Sequence, residues 1–317
     1  MPRWHLRGTR VQLMDQILAK LHRRKEFYTV VALIAVILMI LRYFVLPPFN
    51  PVLEMGWLEV IAEFSDKLLI SLIVTVFVGS FVFWLTPEVM RNAKVEVIEP
   101  REISTLFNTA LHTSNVWWYS GGCGRYFRAK TLPEMAKEAR RNSLTREVNG
   151  LILDPRNESL CEEYASYRRG VRSATQENPW TVKRVRKELV ATIIKTAIIQ
   201  HEEPLLRIKL SLINHFSSIR FDMSSLYVVL TKEDKSAPAI RLDEGTYFYQ
   251  WYRDEMVLAE KQASQPPGFA QRVSLDEVTA THISDYIPLL GLPSEYLNPQ
   301  DLEDVLGLIR TTNHPYE

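Results

Sequence analysis

The sequence predicts a membrane protein, with two transmembrane α-helices followed by a cytosolic α/β domain. Three observations predict it. Two apolar runs lie close together near the N-terminus, Phe27 to Leu46 and Leu68 to Leu85. Basic residues flank these runs unevenly. Beyond them, extended and helical patterns alternate at the spacing of parallel strands joined by crossover helices.

A bilayer core needs about 20 apolar residues in a helix, with a lower limit near 17. The run Leu68 to Leu85 carries no charge. The run Phe27 to Leu46 carries only Arg42, whose long stem lets its head snorkel to the interface. A cleaved signal peptide does not fit the first run, because a long basic segment precedes it and a second run follows at once. Residues 1–26 hold Arg3, Arg7, Arg10, Lys20, Arg23, Arg24 and Lys25 against Asp15 and Glu26. The link holds Glu54, Glu59, Glu63 and Asp66 against Lys67. Basic flanks stay in the cytoplasm, so both termini are expected there and the link outside. Tyr43, Phe44, Trp57 and Trp84 suit the two interfaces.

The expected organisation is a basic cytosolic segment, 1–26, then the membrane region, 27–86, with spans at about 27–46 and 68–85. A cytosolic α/β domain follows over 87–263, and a helical extension over 264–317. Residues 10–25 read as an amphipathic helix suited to an anionic leaflet. The link, 47–67, has room for a brief interfacial helix. The formal net charge of +1 over 317 residues gives no reason to expect nucleic acid as a partner. Cys123 and Cys161 lack metal-like spacing and are expected as free thiols, and neither a metal nor a cofactor is expected.

Along the soluble part, a strand is expected at 94–98 and a helix at 102–113. Val116 to Ser120 is a strand that runs into Gly121-Gly-Cys-Gly124, where the backbone must bend or approach something closely. Pro133 marks the first turn of a helix to about Arg141. A buried strand at 148–155 ends in Asp154-Pro155, and helices follow at 159–169 and 181–201. Leu206 to Leu212 alternates apolar and polar residues as a half-buried strand does. Residues 219–231 read as one extended stretch, with Arg220, Asp222 and Ser224 on one face. A short strand at 239–242 precedes a helix at 247–263. Ser274-Leu-Asp-Glu277 and Asn298-Pro-Gln-Asp301 are helix-start signals for two small helices.

In sheets of this kind ligands gather at the carboxyl ends of the strands. Arg125 and Arg128 follow the glycine cluster there, and Asp154 and Arg156 follow the next parallel strand. Arg220, Asp222 and Ser224 line a strand face. Glu255 lies on an apolar helix stripe with Trp251 and Leu258, where a buried carboxylate needs a partner. The arginines suit a phosphate-bearing or nucleotide ligand. No phosphate-loop, zinc-protease, nucleophile-elbow or paired-cysteine motif is present in the sequence.

From Leu106 to Ala263 the order of elements resembles one half of a phospholipase D-like domain. The order is a strand, a helix rich in Ala and Arg, a strand ending in Asp, more helix, then extended segments, Ser224 and the late Glu255. That family's signature is His-x-Lys, four residues, then Asp. Here Arg220 stands at the His, Asp222 at the Lys and Tyr227 at the Asp. The family's nucleophile is that His, and arginine cannot replace it because it keeps its proton. The resemblance therefore implies a degenerate half-unit with no catalytic residue, and a homodimer or higher oligomer. The whole layout resembles the two-span effectors of bacterial antiphage systems linked to retrons or cyclic nucleotides. That resemblance implies the bacterial inner membrane, and as partners the bilayer and either a nucleotide or a defence-system protein. The expected function is an effector whose sensor domain controls the spans and disrupts the membrane. The alternatives are a membrane-anchored phosphodiesterase or nuclease using His112, His215 or Asp154, and a membrane scaffold for a protein partner.

Overall fold

The computed structural model describes residues 21–40, 56–85, 93–172, 179–269 and 271–312. The chain divides into two compact units, residues 1–91 and 92–317. The first unit holds helix α1 (Leu21–Ile40) and helix α2 (Gly56–Leu85). Among the described residues one helical stretch is long and apolar enough to cross a membrane, Glu63–Phe81 of α2. The described apolar part of α1, Tyr28–Ile40, is shorter. Residues 41–46 of the expected first span, Arg42 included, lie outside the described residues, as does the amphipathic segment before Leu21.

The link differs from expectation. Residues 56–67 are not a separate interfacial element but the first turns of α2. No proline interrupts them, and Glu63 and Lys67 form an i,i+4 ion pair at 2.7 Å on an exposed helix face. Tyr28 Oη near the start of α1 lies 2.7 Å from Ser80 Oγ near the end of α2, so the two helices run antiparallel.

The second unit is a mixed α/β domain. Its elements in chain order are β1 (Glu96–Ile98), α3 (Pro100–Thr113), β2 (Val116–Ser120), a π-helical segment (Phe127–Thr131), α4 (Leu132–Asn142) and β3 (Arg146–Leu153). Then come α5 (Glu158–Arg169), α6 (Val182–Glu202), β4 (Leu206–Ile213), β5 (Ile219–Ser224), β6 (Tyr227–Lys232), β7 (Ala239–Asp243), α7 (Tyr247–Gln262), α8 (Ala280–Leu289) and α9 (Pro299–Arg310). One seven-stranded sheet has the order β1-β7-β6-β5-β2-β3-β4. The pairs β2–β3 and β3–β4 are parallel, as the strand–helix alternation predicts. The other neighbours pair antiparallel.

The stretch 219–231 is two strands, not one. It folds back at Ser225 and Leu226, where Ser224 Oγ bonds the backbone N–H groups of Leu226 and Tyr227. The Ser224-Ser225 pair is the cue to that turn in the sequence, weaker than a glycine, proline or asparagine would be. The π-helical segment was also unexpected; Arg128 within it is buried. Gly124 itself has φ +71°, a conformation that glycine adopts without strain.

Alternation assigns the faces. α3 buries Ile103, Phe107, Ala110 and Leu111 against the sheet face that carries Trp117 and Tyr227. α7 covers the opposite face, where Met223, Val228, Leu230 and Leu242 cluster with Tyr249. Residues 278–309 contribute Val278, Ile283, Tyr286, Val305 and Ile309 to the core shared with β2, β3 and α6. Of the two helix-start signals there, Asn298 and Asp301 cap α9 reciprocally. Ser274 and Glu277 make the same bonds around a single turn, while the helix starts later, at Thr279 with its own capping box.

Candidate functional site

The site is built where β2 and β3 end. β5 runs antiparallel to β2, with Asp222 opposite Tyr119 and Phe221 opposite Ser120. Arg220 therefore lies beside the glycine cluster. Its Nε stands 3.2 Å from Asp222 Oδ2, with both side chains under 10% exposed, at 7% and 1%. Strand alternation puts Trp117, Tyr119, Arg220 and Asp222 on one sheet face. Burial pushes the Asp222 carboxyl up to about 6, and Arg220 and the Trp117 indole N–H only partly offset this.

Gly121 and Gly122 serve this packing. A Cβ on Gly121 would lie 2.5 Å from Tyr119 Oη and 2.7 Å from Arg220 Cγ. A Cβ on Gly122 would lie 2.4 Å from the Tyr164 ring. The close approach that the glycine run signals is thus made by the domain's own side chains. Desolvation raises Tyr119, Tyr164 and Cys123 well above their usual range, and the Glu233 charge adds to the rise. Glu233 follows β6 and is held by Arg168, whose Nη1 meets its Oε2 at 3.3 Å and also its backbone carbonyl.

Arg125 and Arg128 converge on one carboxylate, Glu188 of α6. Arg128 is buried and donates to Glu188 Oε2 at 2.7 Å, to the Glu188 carbonyl at 2.8 Å and to Thr192 Oγ1 at 3.0 Å. Arg125 Nε lies 3.6 Å from Glu188 Oε1. The buried Trp180 ring gathers three guanidinium groups, with Arg184 at 4.2 Å, Arg168 at 4.7 Å and Arg125 at 5.7 Å from its centroid.

Asp154 and Arg156 form a fork. Arg156 Nε donates to both Asp154 oxygens, at 2.8 and 3.1 Å, and Nη2 donates at 2.6 Å. The same Nη2 donates to Ser264 Oγ at 2.8 Å. The pair thus ties the end of β3 to the segment after α7. Ser224 serves the β5–β6 turn, where its Oγ also donates to the Tyr227 carbonyl at 3.1 Å. Glu255 lies on the solvent face of α7, not in a buried stripe. Trp251 and Leu258 beside it are 63% and 52% exposed, so no desolvation demands a partner for its charge.

The structure brings Arg220 and Asp222 together, Arg125 and Arg128 together, and Asp154 and Arg156 together. Ser224 lies on the same face as Arg220 and Asp222, opposite Trp117, but is engaged in the β5–β6 turn, and Glu255 is on the solvent face of α7. Glu188, Glu233, Arg168, Tyr119 and Tyr164 were missed in the sequence. The three ionic partners announce nothing locally; only Tyr119, next to the glycine cluster, had a readable cue. His112 pairs with Glu138 through Nδ1 at 2.9 Å, and His215 is an exposed loop residue. Tyr227 Oη donates to the Leu106 carbonyl at 2.7 Å. Cys123 and Cys161 are buried free thiols, as expected.

Fold and site together define a mixed α/β domain with a buried, charge-paired constellation at its strand ends, in a chain that also carries a candidate membrane-spanning helix. No protein-family model matches the chain, and no curated protein does. Among solved structures, TrmBL2, described as an archaeal chromatin protein with a novel mode of DNA binding, matches at a TM-score of 0.33. It shares 11% identity over 66% of this chain and 67% of that one. At that TM-score the likeness carries no argument.

Proposed function

We propose that the protein is a membrane-anchored, non-catalytic sensor, whose cytosolic domain is a degenerate phospholipase D-like half-unit that controls two membrane spans. One observation carries the reading. Arg220 and Asp222, at the positions of that family's His and Lys, form a buried ion pair with each other. Neither is a nucleophile in that state. The order β2, α4 with its Ala and Arg residues, β3 leading into Asp154, two helices, then β4, β5 and β6 supports the family resemblance. The antiparallel α1–α2 pair and the basic N-terminal flank support two spans with both termini in the cytoplasm. The antiphage setting, and disruption of the inner membrane as the output, rest on the layout alone.

The pair suggests how such a sensor works. In the proposed switch a phosphate that reaches Arg220 displaces Asp222 as its counter-charge. Asp222 then loses the cation that lowers its pKa, stays buried, and takes up a proton near neutral pH. The switch exchanges one anion for another and shifts β5 against the glycine cluster. Calorimetric titration of the full chain with a cyclic dinucleotide, in two buffers of different ionisation enthalpy, tests this. The expected result is net proton uptake that Arg220→Lys diminishes and Asp222→Asn abolishes. Binding with no proton uptake would remove the mechanism. Phosphodiester hydrolysis that His112→Ala or His215→Ala abolishes would replace the sensor with an enzyme.

A further inference from the structure

Among the described residues β4 ends the sheet, and its outer edge is only partly paired. Leu212 and Ser264 exchange both backbone hydrogen bonds, Leu212 N–H to the Ser264 carbonyl at 2.6 Å and Ser264 N–H to the Leu212 carbonyl at 3.0 Å. This is a hydrogen-bonded antiparallel pair. In an extended strand, residues two apart point their N–H and C=O to the same side, so Leu210 and Ile208 also present theirs outward. Continued antiparallel, the register would set Pro266 opposite Leu210. Proline has no N–H to give to the Leu210 carbonyl, and the ladder stops there. The segment then peels away. Tyr286 Oη donates to the Pro267 carbonyl at 2.6 Å, and the Phe269 ring packs edge-on against Tyr286 at 5.2 Å.

A cleft of about 410 Å³ separates β4 from that segment. Ile208, Lys209 and Leu210 of β4 line it, together with Ala197 and His201 of α6 and with Phe269. Such a volume lies within the range of roughly 300–1,000 Å³ typical of ligand pockets.

We propose that this slot is a peptide-binding site, in which an extended, proline-free segment of a partner protein adds to the β4 edge. Only an extended main chain offers donors and acceptors at the two-residue repeat of Ile208 and Leu210. The lining mixes apolar side chains, such as Ile193 and Phe269, with polar ones, such as Gln200 and Lys209, so the affinity is expected to rest on the main-chain ladder. The site is independent of the Arg220 constellation and of any control over the membrane.

Two measurements on the full chain in lipid nanodiscs test it. In amide hydrogen exchange, Ile208 and Leu210 are expected to exchange at least about tenfold faster than Arg207, Lys209 and Ser211, whose amides face β3. In selection from displayed random octapeptides, binders are expected that weaken at least tenfold when one alternate amide is N-methylated. Pro266→Ala supplies the missing N–H, closes the slot, and is expected to protect Leu210 and abolish binding. Ala197→Trp fills a wall without touching the ladder and is expected to abolish binding too. Slow exchange at Ile208 and Leu210, a selection without binders, or binders indifferent to N-methylation would each overturn the proposal.

Discussion

Asp222 and Arg220 show how two residues set the chemistry of a site by burial alone. A native pKa of about 6, against an unfolded value near 3.9, means that the folded state holds its proton more tightly than the unfolded chain does. Stability from this group is therefore fully present below about pH 4 and declines as pH rises to about 6. That difference in proton affinity corresponds to about 3 kcal/mol. Arg220→Ala removes the cation that offsets burial, so the decline continues to higher pH. The expected loss is about 3–5 kcal/mol at pH 8, and clearly smaller at pH 5, where Asp222 is neutral. Urea midpoints at the two pH values check this; an equal loss at both would mean that Arg220 acts by packing only. The pairing of these residues was legible, because strand alternation puts positions two apart on one face. Glu188 and Glu233 were not legible. They meet Arg128 and Arg168 only through packing between elements 60 or more residues apart.

The elements themselves follow local rules, and so do their failures. Apolar periodicity placed the principal strands and helices of the α/β domain, and proline or a cap residue placed several of their starts. Where the cue was weak, as with Ser224-Ser225 at the β5–β6 turn, the boundary was missed. Where the cue was present but the following residues lacked a helical stripe, as after Ser274, the cap closed a single turn. The glycine run signalled close approach correctly but did not say what approaches. Tyr164 does so, wedged edge-on against Trp180 at 5.8 Å and Phe216 at 5.4 Å, so it has little room to yield. Gly122→Ala is expected to destabilise the domain by about 1–3 kcal/mol, with the near-ultraviolet circular dichroism of the aromatic cluster altered. A neutral result would mean that the β2–helix turn relaxes freely. Asn298→Ala removes a reciprocal cap from α9, whose Asp301 also holds Lys183 at 3.0 Å and Lys187 at 3.2 Å. The expected cost is about 1 kcal/mol in denaturant stability. A change below a few tenths would mean that the helix is held by its packing on α6.

At the scale of the molecule, one chain joins an apolar helical unit to an α/β domain whose charged constellation is closed on itself. Of the two apolar runs in the sequence, the second falls in the described helix whose stretch Glu63–Phe81 is long and apolar enough to cross a membrane. The proposed control of the membrane by the domain is the central claim, and membrane potential tests it directly. The full chain, and a version lacking residues 1–86, would be induced in bacteria at matched levels and followed with a potential-sensitive dye. The expected result is depolarisation by the full chain once the sensor is engaged, by its ligand or by high expression, and none by the truncated one. A full chain that reaches the membrane and leaves the potential unchanged, or a truncated chain that depolarises equally, would contradict the proposal.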